Sequence, residues 1–187
     1  MSPQSPPKLL LHGCCAPCVT HPFRMLRGQF NVTVFFYNPN IQPVEEYKAR
    51  LNEIRRLSIK WQFPLVEGAY ETAAWFNAVR GLEAEPEGGR RCSICYRIRL
   101  ERTARNAKAL GMECFATTLS ISPHKQADTI NRIGREIGYA AGIRFIEADF
   151  KKNDGFKASC DISKREGLYR QDFCGCGYSR RDVGKAE

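Results

Sequence analysis

Hydrophobic positions along the chain switch repeatedly between two periods. Residues 8–15 (Lys-Leu-Leu-Leu-His-Gly-Cys-Cys) open with a short continuous apolar run, the pattern of a buried strand. Residues 20–27 read as a short helix stopped by Gly28. Residues 31–37 (Asn-Val-Thr-Val-Phe-Phe-Tyr) are β-branched and aromatic, a second strand broken by Asn38-Pro39-Asn40. Val44, Tyr47, Leu51, Ile54 and Leu57 then recur at steps of three and four, which predicts an amphipathic helix over 43–57. A third strand is expected at 63–66 and a helix at 71–79. An acidic, glycine-rich loop follows at 83–89, then a long helix over 96–110 that ends at Gly111. Residues 113–119 predict a fourth strand. Ser122-Pro123 has the chemistry of a helix start, and Ile130, Ile133 and Ile137 stripe the helix beyond it. A fifth strand is expected at 143–150 and a last helix at 158–166.

Strands alternating with helices argue for an α/β domain with a parallel sheet and flanking helices. No linker or repeat divides the chain, so residues 1–187 read as one domain, with 1–7 flexible and 168–187 a tail. Open parallel sheets bind ligands beyond the C-terminal ends of their strands. Cys14, Cys15, Asn38, Asn40 and the 120–124 loop are expected at that edge.

Composition narrows the function. With 43% apolar and 11% aromatic residues the chain is too hydrophobic to be disordered. No run approaches the ~18 apolar residues of a membrane span. Residues 1–8 hold three prolines and no apolar core of a signal peptide, so a cytoplasmic setting is expected. In a reducing compartment, nine cysteines point to metal or redox chemistry. Seven of them fall in three groups: Cys14, Cys15 and Cys18; Cys92 and Cys95; Cys174 and Cys176. Cys114 reads as core filler and Cys160 as a bland helical position. Only Cys92/Cys95 forms a good zinc knuckle. Adjacent Cys14 and Cys15 suit the separate corners of an iron–sulfur cluster better than one small ion. Cys174-Gly175-Cys176 suits a cycling dithiol, although so short a spacing strains its bridge. Iron–sulfur, zinc and disulfide chemistry all remain open on spacing alone.

The net charge is +9, and the stretch 90–108 carries seven basic residues against one acidic. Such a stripe suggests a phosphate-rich partner, against the plainer reading of a solvated helix face. Tyr96, and Tyr169 with Arg170, could stack bases beside it. His12 stands two residues before the first cysteines, as a ligand, a proton donor or a hydrogen-bonded structural residue. His21 reads as surface, and His124 as a polar contact at the proposed edge. No P-loop or Gly-x-Gly-x-x-Gly pattern occurs, so nucleotide activation is unsupported.

Five motifs in order carry a family resemblance: Leu11-His12-Gly13-Cys14-Cys15-Ala16-Pro17-Cys18; Phe36-Tyr37-Asn38-Pro39-Asn40-Ile41; Cys92-Ser93-Ile94-Cys95-Tyr96-Arg97; Ala116-Thr117-Thr118-Leu119 with Ile121-Ser122-Pro123-His124-Lys125; and Leu168-Tyr169-Arg170-Gln171 with Phe173-Cys174-Gly175-Cys176 and Tyr178-Ser179. Together they resemble the cobalamin-independent epoxyqueuosine reductases, the QueH family. The resemblance implies a Rossmann-like, nucleotide α-hydrolase-like fold. It also implies reduction of the epoxide of epoxyqueuosine in tRNA to queuosine, the last step of queuosine synthesis. The implied cofactors are a 4Fe–4S cluster and an additional iron, with no cobalamin. The implied partners are tRNA carrying the queuosine precursor in its anticodon and an electron donor, with no membrane.

By that likeness Cys14, Cys15, Cys92 and Cys95 hold the cluster, and Cys18 is a candidate ligand of the second iron. Cys174 and Cys176 are a redox pair, with a disulfide in one state, or further ligands. His12 and Tyr37 are candidate proton donors. Tyr37, Asn38 and Asn40 would grip an extruded base, with His124, Tyr96 and Arg97 as further substrate contacts. The rival readings are a zinc-bound tRNA-binding module, a metal-free thiol–disulfide oxidoreductase, and an iron–sulfur tRNA sulfurtransferase. The last would need a Ser-Gly-Gly-x-Asp loop after the first strand, where this chain has Gly13-Cys14-Cys15-Ala16.

Overall fold

A computed structural model describes residues 5–179. The ends of the expected flexible segment and tail, 1–4 and 180–187, lie outside the described residues. Pro7 is already tied down: its carbonyl accepts a 2.9 Å hydrogen bond from Asn31 N.

Five strands form one parallel sheet: β1 (Lys8–Gly13), β2 (Asn31–Phe36), β3 (Leu65–Glu67), β4 (Cys114–Thr117) and β5 (Arg144–Phe145), in the order β3-β2-β1-β4-β5. The helices are α1 (Ala16–Leu26), α2 (Val44–Trp61), α3 (Thr72–Ala78), α4 (Arg90–Ala109), α5 (Ala127–Ala141) and α6 (Gly155–Glu166). Successive strand residues face opposite layers. Leu9, Leu11, Val32, Val34 and Phe36 pack with Phe23 of α1 and Ile54 of α2, while Leu10, Phe35 and Phe115 pack with Leu100 of α4 and Ile133 of α5. Covering both faces is why these strands read as unbroken apolar runs.

Helix α2 runs on to Trp61 rather than ending at 57, and two helix starts that differ from the sequence reading carry cysteines of the site. Helix α1 begins at Ala16 rather than at 20, because extended Cys15 caps it: Cys15 Sγ accepts from Cys18 N at 3.4 Å, and Pro17 sits in the first turn. Helix α4 begins at Arg90 rather than at 96, which puts Cys92 and Cys95 inside the helix, one turn apart.

Ser122-Pro123 is not a helix start. Ser122 Oγ accepts from His124 N at 3.3 Å and Ser122 O from Lys125 N at 3.2 Å, a local turn that delays α5 to Ala127. The fifth strand is only Arg144–Phe145. It leaves the sheet after Ile146 N bonds Phe115 O at 2.8 Å. No helix among the described residues is long and apolar enough to cross a membrane.

Candidate active site

A cleft of about 650 Å³ opens where β1 and β4 end. Cys14 and Cys18 line it from the start of α1, Leu119–Lys125 from the turn after β4, Phe156, Ser159, Cys160 and Ser163 from α6, and Arg170–Cys174 from the tail. Each group reaches the cleft through a local cause. Cys14 and Cys15 follow the last residue of a central strand, and Cys18 is in the first helical turn. The sulfurs of all three lie within 4.8 Å of one another. The resemblance placed Cys18 apart from Cys14 and Cys15, whereas the fold joins them.

The tail is held by Arg50, which projects from α2 and is 1% exposed. It pairs with Glu46 at 2.6 Å and donates to Phe173 O and Cys174 O at 3.1 Å each. Gly175 makes this clamp possible: its φ is +99°, and a Cβ there would press 2.8 Å from Ile41 and 3.1 Å from Arg50 Nη1. Gln171 Nε2 reaches Cys15 Sγ at 2.8 Å, so the tail touches the first thiol group directly. Cys174, Cys176 and Cys95 share a second apolar nest beneath Trp75.

The thiols divide into held-down and pushed-up members. Hydrogen bonding from Cys15 and then Cys18 holds Cys14 well below the ordinary thiol range, with the Lys125 charge assisting. Burial pushes Cys15 up to about 12. In the tail, hydrogen bonding from Cys176 holds Cys174 low, again with help from Lys125, while Cys176 is driven up by that same bond. Burial also raises Cys95. Only the thiolate ligates metal, so a bound cation would have to draw the proton from the raised thiols Cys15, Cys18 and Cys95 as well.

Arg99 joins the three groups. It is 3% exposed and has no carboxylate partner among the described residues. Burial works against its charge, and the sulfurs of Cys95 and Cys14, then Tyr96 and Cys174, outweigh that effect. Its Nε donates to Cys95 O at 3.2 Å and the group lies over the Tyr96 ring, but neither partner balances its charge, which a buried cation requires and anionic sulfur would supply. This charge, together with the close sulfurs of Cys14, Cys15 and Cys18, fits a cysteine-held iron–sulfur group; Cys92 and Cys95 stand outside that close group and outside the cleft lining.

Several expected site residues lie elsewhere. His12 is fully buried between strands. Its Nδ1 meets Thr117 Oγ1 at 2.9 Å and its Nε2 meets Tyr37 O at 3.1 Å, and burial lowers its pKa to about 4. It joins β4 to the end of β2 and lies outside the cleft lining. Tyr37 is buried against Phe35, and its hydroxyl donates to Glu71 at 2.9 Å. Asn38 Nδ2 donates to Gly13 O at 3.0 Å; Asn38 and Asn40 are both buried and outside the cleft lining, and the side-chain oxygen of each has no hydrogen-bond partner among the described residues. Tyr96 is buried, and Arg97 is paired with Glu136 at 2.5 Å on the outer face of α4.

The basic stripe is largely spent in the same way. Arg91 is buried and donates to three carbonyls of the 82–85 loop, Arg99 is buried, and Arg102 is paired with Glu71. His124 is exposed and does line the cleft. Cys160, read as bland, is half-buried and lines it too, whereas Cys114 is fully buried core as expected. All nine cysteines are free thiols, so the expected Cys174–Cys176 bridge is not formed.

An open parallel sheet whose strand ends carry a thiol-lined cleft defines a Rossmann-like, nucleotide α-hydrolase-like protein. The U34-tRNA thiolase NcsA from Methanococcus maripaludis, solved with its [4Fe-4S] cluster, shares this fold at a TM-score of 0.59 and 11% identity, over 95% of this chain and 63% of that one. The chain thus spans less than two thirds of that protein's length. Residues 9–182 match the family described as "Epoxyqueuosine reductase QueH". Proteins of that name from Acinetobacter baylyi and Dehalococcoides mccartyi are 40% and 41% identical, over 98% and 92% of this chain and 85% and 92% of their own lengths. The chain belongs to the epoxyqueuosine reductase QueH family.

Proposed function

We propose that this protein reduces the epoxide of epoxyqueuosine in tRNA to queuosine. The observation that carries the reading is the group of close sulfurs, Cys14, Cys15 and Cys18, at the strand-end cleft of a chain that belongs to the epoxyqueuosine reductase QueH family. The balance is simple. Two electrons and two protons enter, the epoxide oxygen leaves as water, and a carbon–carbon double bond remains.

Cys14, Cys15, Cys92 and Cys95 are proposed to hold a 4Fe–4S cluster, with Cys18 the nearest further thiol for an additional iron. When bound, such groups supply single electrons and a Lewis acid for the epoxide oxygen. The chain's own residues do the rest. Arg99 and Arg50 hold positive charge against the sulfurs and fix the tail. Lys125 faces both Cys14 and Cys174. Protons for the departing oxygen come from groups that line the cleft, His124 and Lys125, in place of His12 and Tyr37. Cys174 and Cys176 are the thiols proposed to pass electrons from an external donor. A reducing cytoplasm suits these free thiols.

In a strain lacking the protein, nucleoside analysis of tRNA is expected to show epoxyqueuosine accumulating at the expense of queuosine. Unchanged queuosine, in a strain with no other epoxyqueuosine reductase, would reject the assignment.

A further inference from the structure

Reduction of a tRNA nucleoside requires that the modified base reach the thiols, yet the α4 stripe read from the sequence is largely consumed by buried and paired arginines. A different edge of the cleft has what that stripe lacks. Phe156, on the first turn of α6, is 39% exposed, lines the cleft, and has no aromatic partner among the described residues. With Leu119, Ile121 and Pro123 across the cleft, the exposed ring gives it an apolar wall of the kind that takes the flat face of a base.

Its placement is fixed by its neighbours. The backbone at Gly155 is pressed so close to Phe150 that a Cβ there would lie 1.9 Å from Phe150 O. The turn before it carries Asn153 and Asp154 at φ 51° and 58°. That turn is tied to the other loop of the cleft, where Lys151 Nζ donates to Lys125 O at 3.4 Å.

The cations around this ring are available. Lys152, Lys157 and Arg170 are exposed and make no ion pair among the described residues, and Arg170 lines the cleft. Asp172 and Glu87 also line it, so the edge is mixed rather than uniformly basic. A cleft of about 650 Å³ accommodates one nucleoside. Enzymes that act on a base extrude it from its stack and hold it against aromatic side chains, while the backbone is held by cations.

We propose that Phe156 is the stacking platform for the extruded base, with Lys152, Lys157 and Arg170 on the flanking phosphates. This rests on the reduction proposed above and assigns the nucleic-acid edge of the same site to the start of α6 rather than to α4.

The test is steady-state turnover of the iron-loaded holoenzyme on tRNA bearing epoxyqueuosine, paired with direct measurement of tRNA binding by filter retention. Phe156→Ala is expected to raise KM, and Kd for tRNA, by roughly 5- to 150-fold with kcat little changed, the range that one lost base stack implies. Phe156→Tyr is expected to restore both. Lys152→Ala with Lys157→Ala should lower the slope of log binding constant against log salt by about 2, whereas Arg105→Ala on α4 should leave it unchanged.

Wild-type KM and Kd in Phe156→Ala, or a slope that responds to Arg105 and not to the lysine pair, would overturn the proposal. If Phe156→Ala does not fold, the tyrosine variant and the lysine pair decide the matter. If the wild type binds tRNA but reduces nothing, the reduction is wrong, and the Kd values alone still judge the platform.

Discussion

Cys14→Ala is expected to remove bound iron and lower turnover by more than about 100-fold, beyond the 10- to 100-fold that residues acting through a ligand cost. Cys14 sits where the central strand ends, its sulfur 3.9 Å from Cys15 Sγ and in the cleft lining, and hydrogen bonding from Cys15 and Cys18 holds it below the ordinary thiol range. Alanine removes that ligand and leaves Arg99 and Lys125 facing one sulfur fewer. The fold should survive, since the loss of one small side chain at the edge of the core costs about 1 kcal/mol. Iron and sulfide analysis, the visible spectrum and a thermal melt check this together. A variant that keeps full iron and full turnover would show that Cys14 is no ligand.

Arg99→Met is expected to weaken iron loading by roughly 10- to 100-fold while the protein stays folded. The two outcomes separate because the residue's roles separate. Methionine fills the buried space, and replacing a buried charge by an apolar group is often neutral for stability. It cannot balance the negative charge of cysteine-held iron, and Arg99 has no carboxylate partner among the described residues to share that task. Arg99→Lys keeps the charge and should recover part of the loading. Titration of iron into the apoprotein, followed by visible absorption, measures both variants. Loading of Arg99→Met at the wild-type affinity would show that the buried cation serves only the fold.

The central strands were legible because β1, β2 and β4 are short runs rich in apolar residues, and the 3.6 period of α2 and α5 was clear. What escaped were boundaries set by tertiary or unusual capping. A cysteine acts as the N-cap of α1, and Arg91 anchors the 82–85 loop against the first turn of α4, so both helices begin earlier than propensity suggests. The cysteine groups were visible as chemistry, but their convergence was not, since it depends on a tail tied down by Arg50 from a distant helix.

Arg50 and Arg99 carried a readable sign. Each stands inside an apolar helical stripe, Arg50 between Tyr47 and Ile54, and Arg99 between Tyr96 and Thr103. A charge in a buried stripe calls for a buried counter-charge. His12, Tyr37, Asn38 and Asn40 were misplaced for the converse reason. They stand at strand ends, where ligands bind, but all four are buried, with His12 and Asn38 bonded to neighbouring strand ends and Tyr37 to Glu71. The charge of the 90–108 stretch misled because sequence counts charges and cannot see their partners, Glu136 and Glu71.

The central claim is that the thiol-lined cleft reduces the epoxide. It is tested most directly by a single-turnover reaction under anaerobic conditions. Iron-loaded protein, a chemical reductant and tRNA carrying epoxyqueuosine are mixed, and the nucleosides are identified by mass spectrometry. The account predicts queuosine, formed with two electrons consumed per nucleoside. Iron-loaded protein that leaves epoxyqueuosine intact, or that returns a thiolated nucleoside instead, would contradict it.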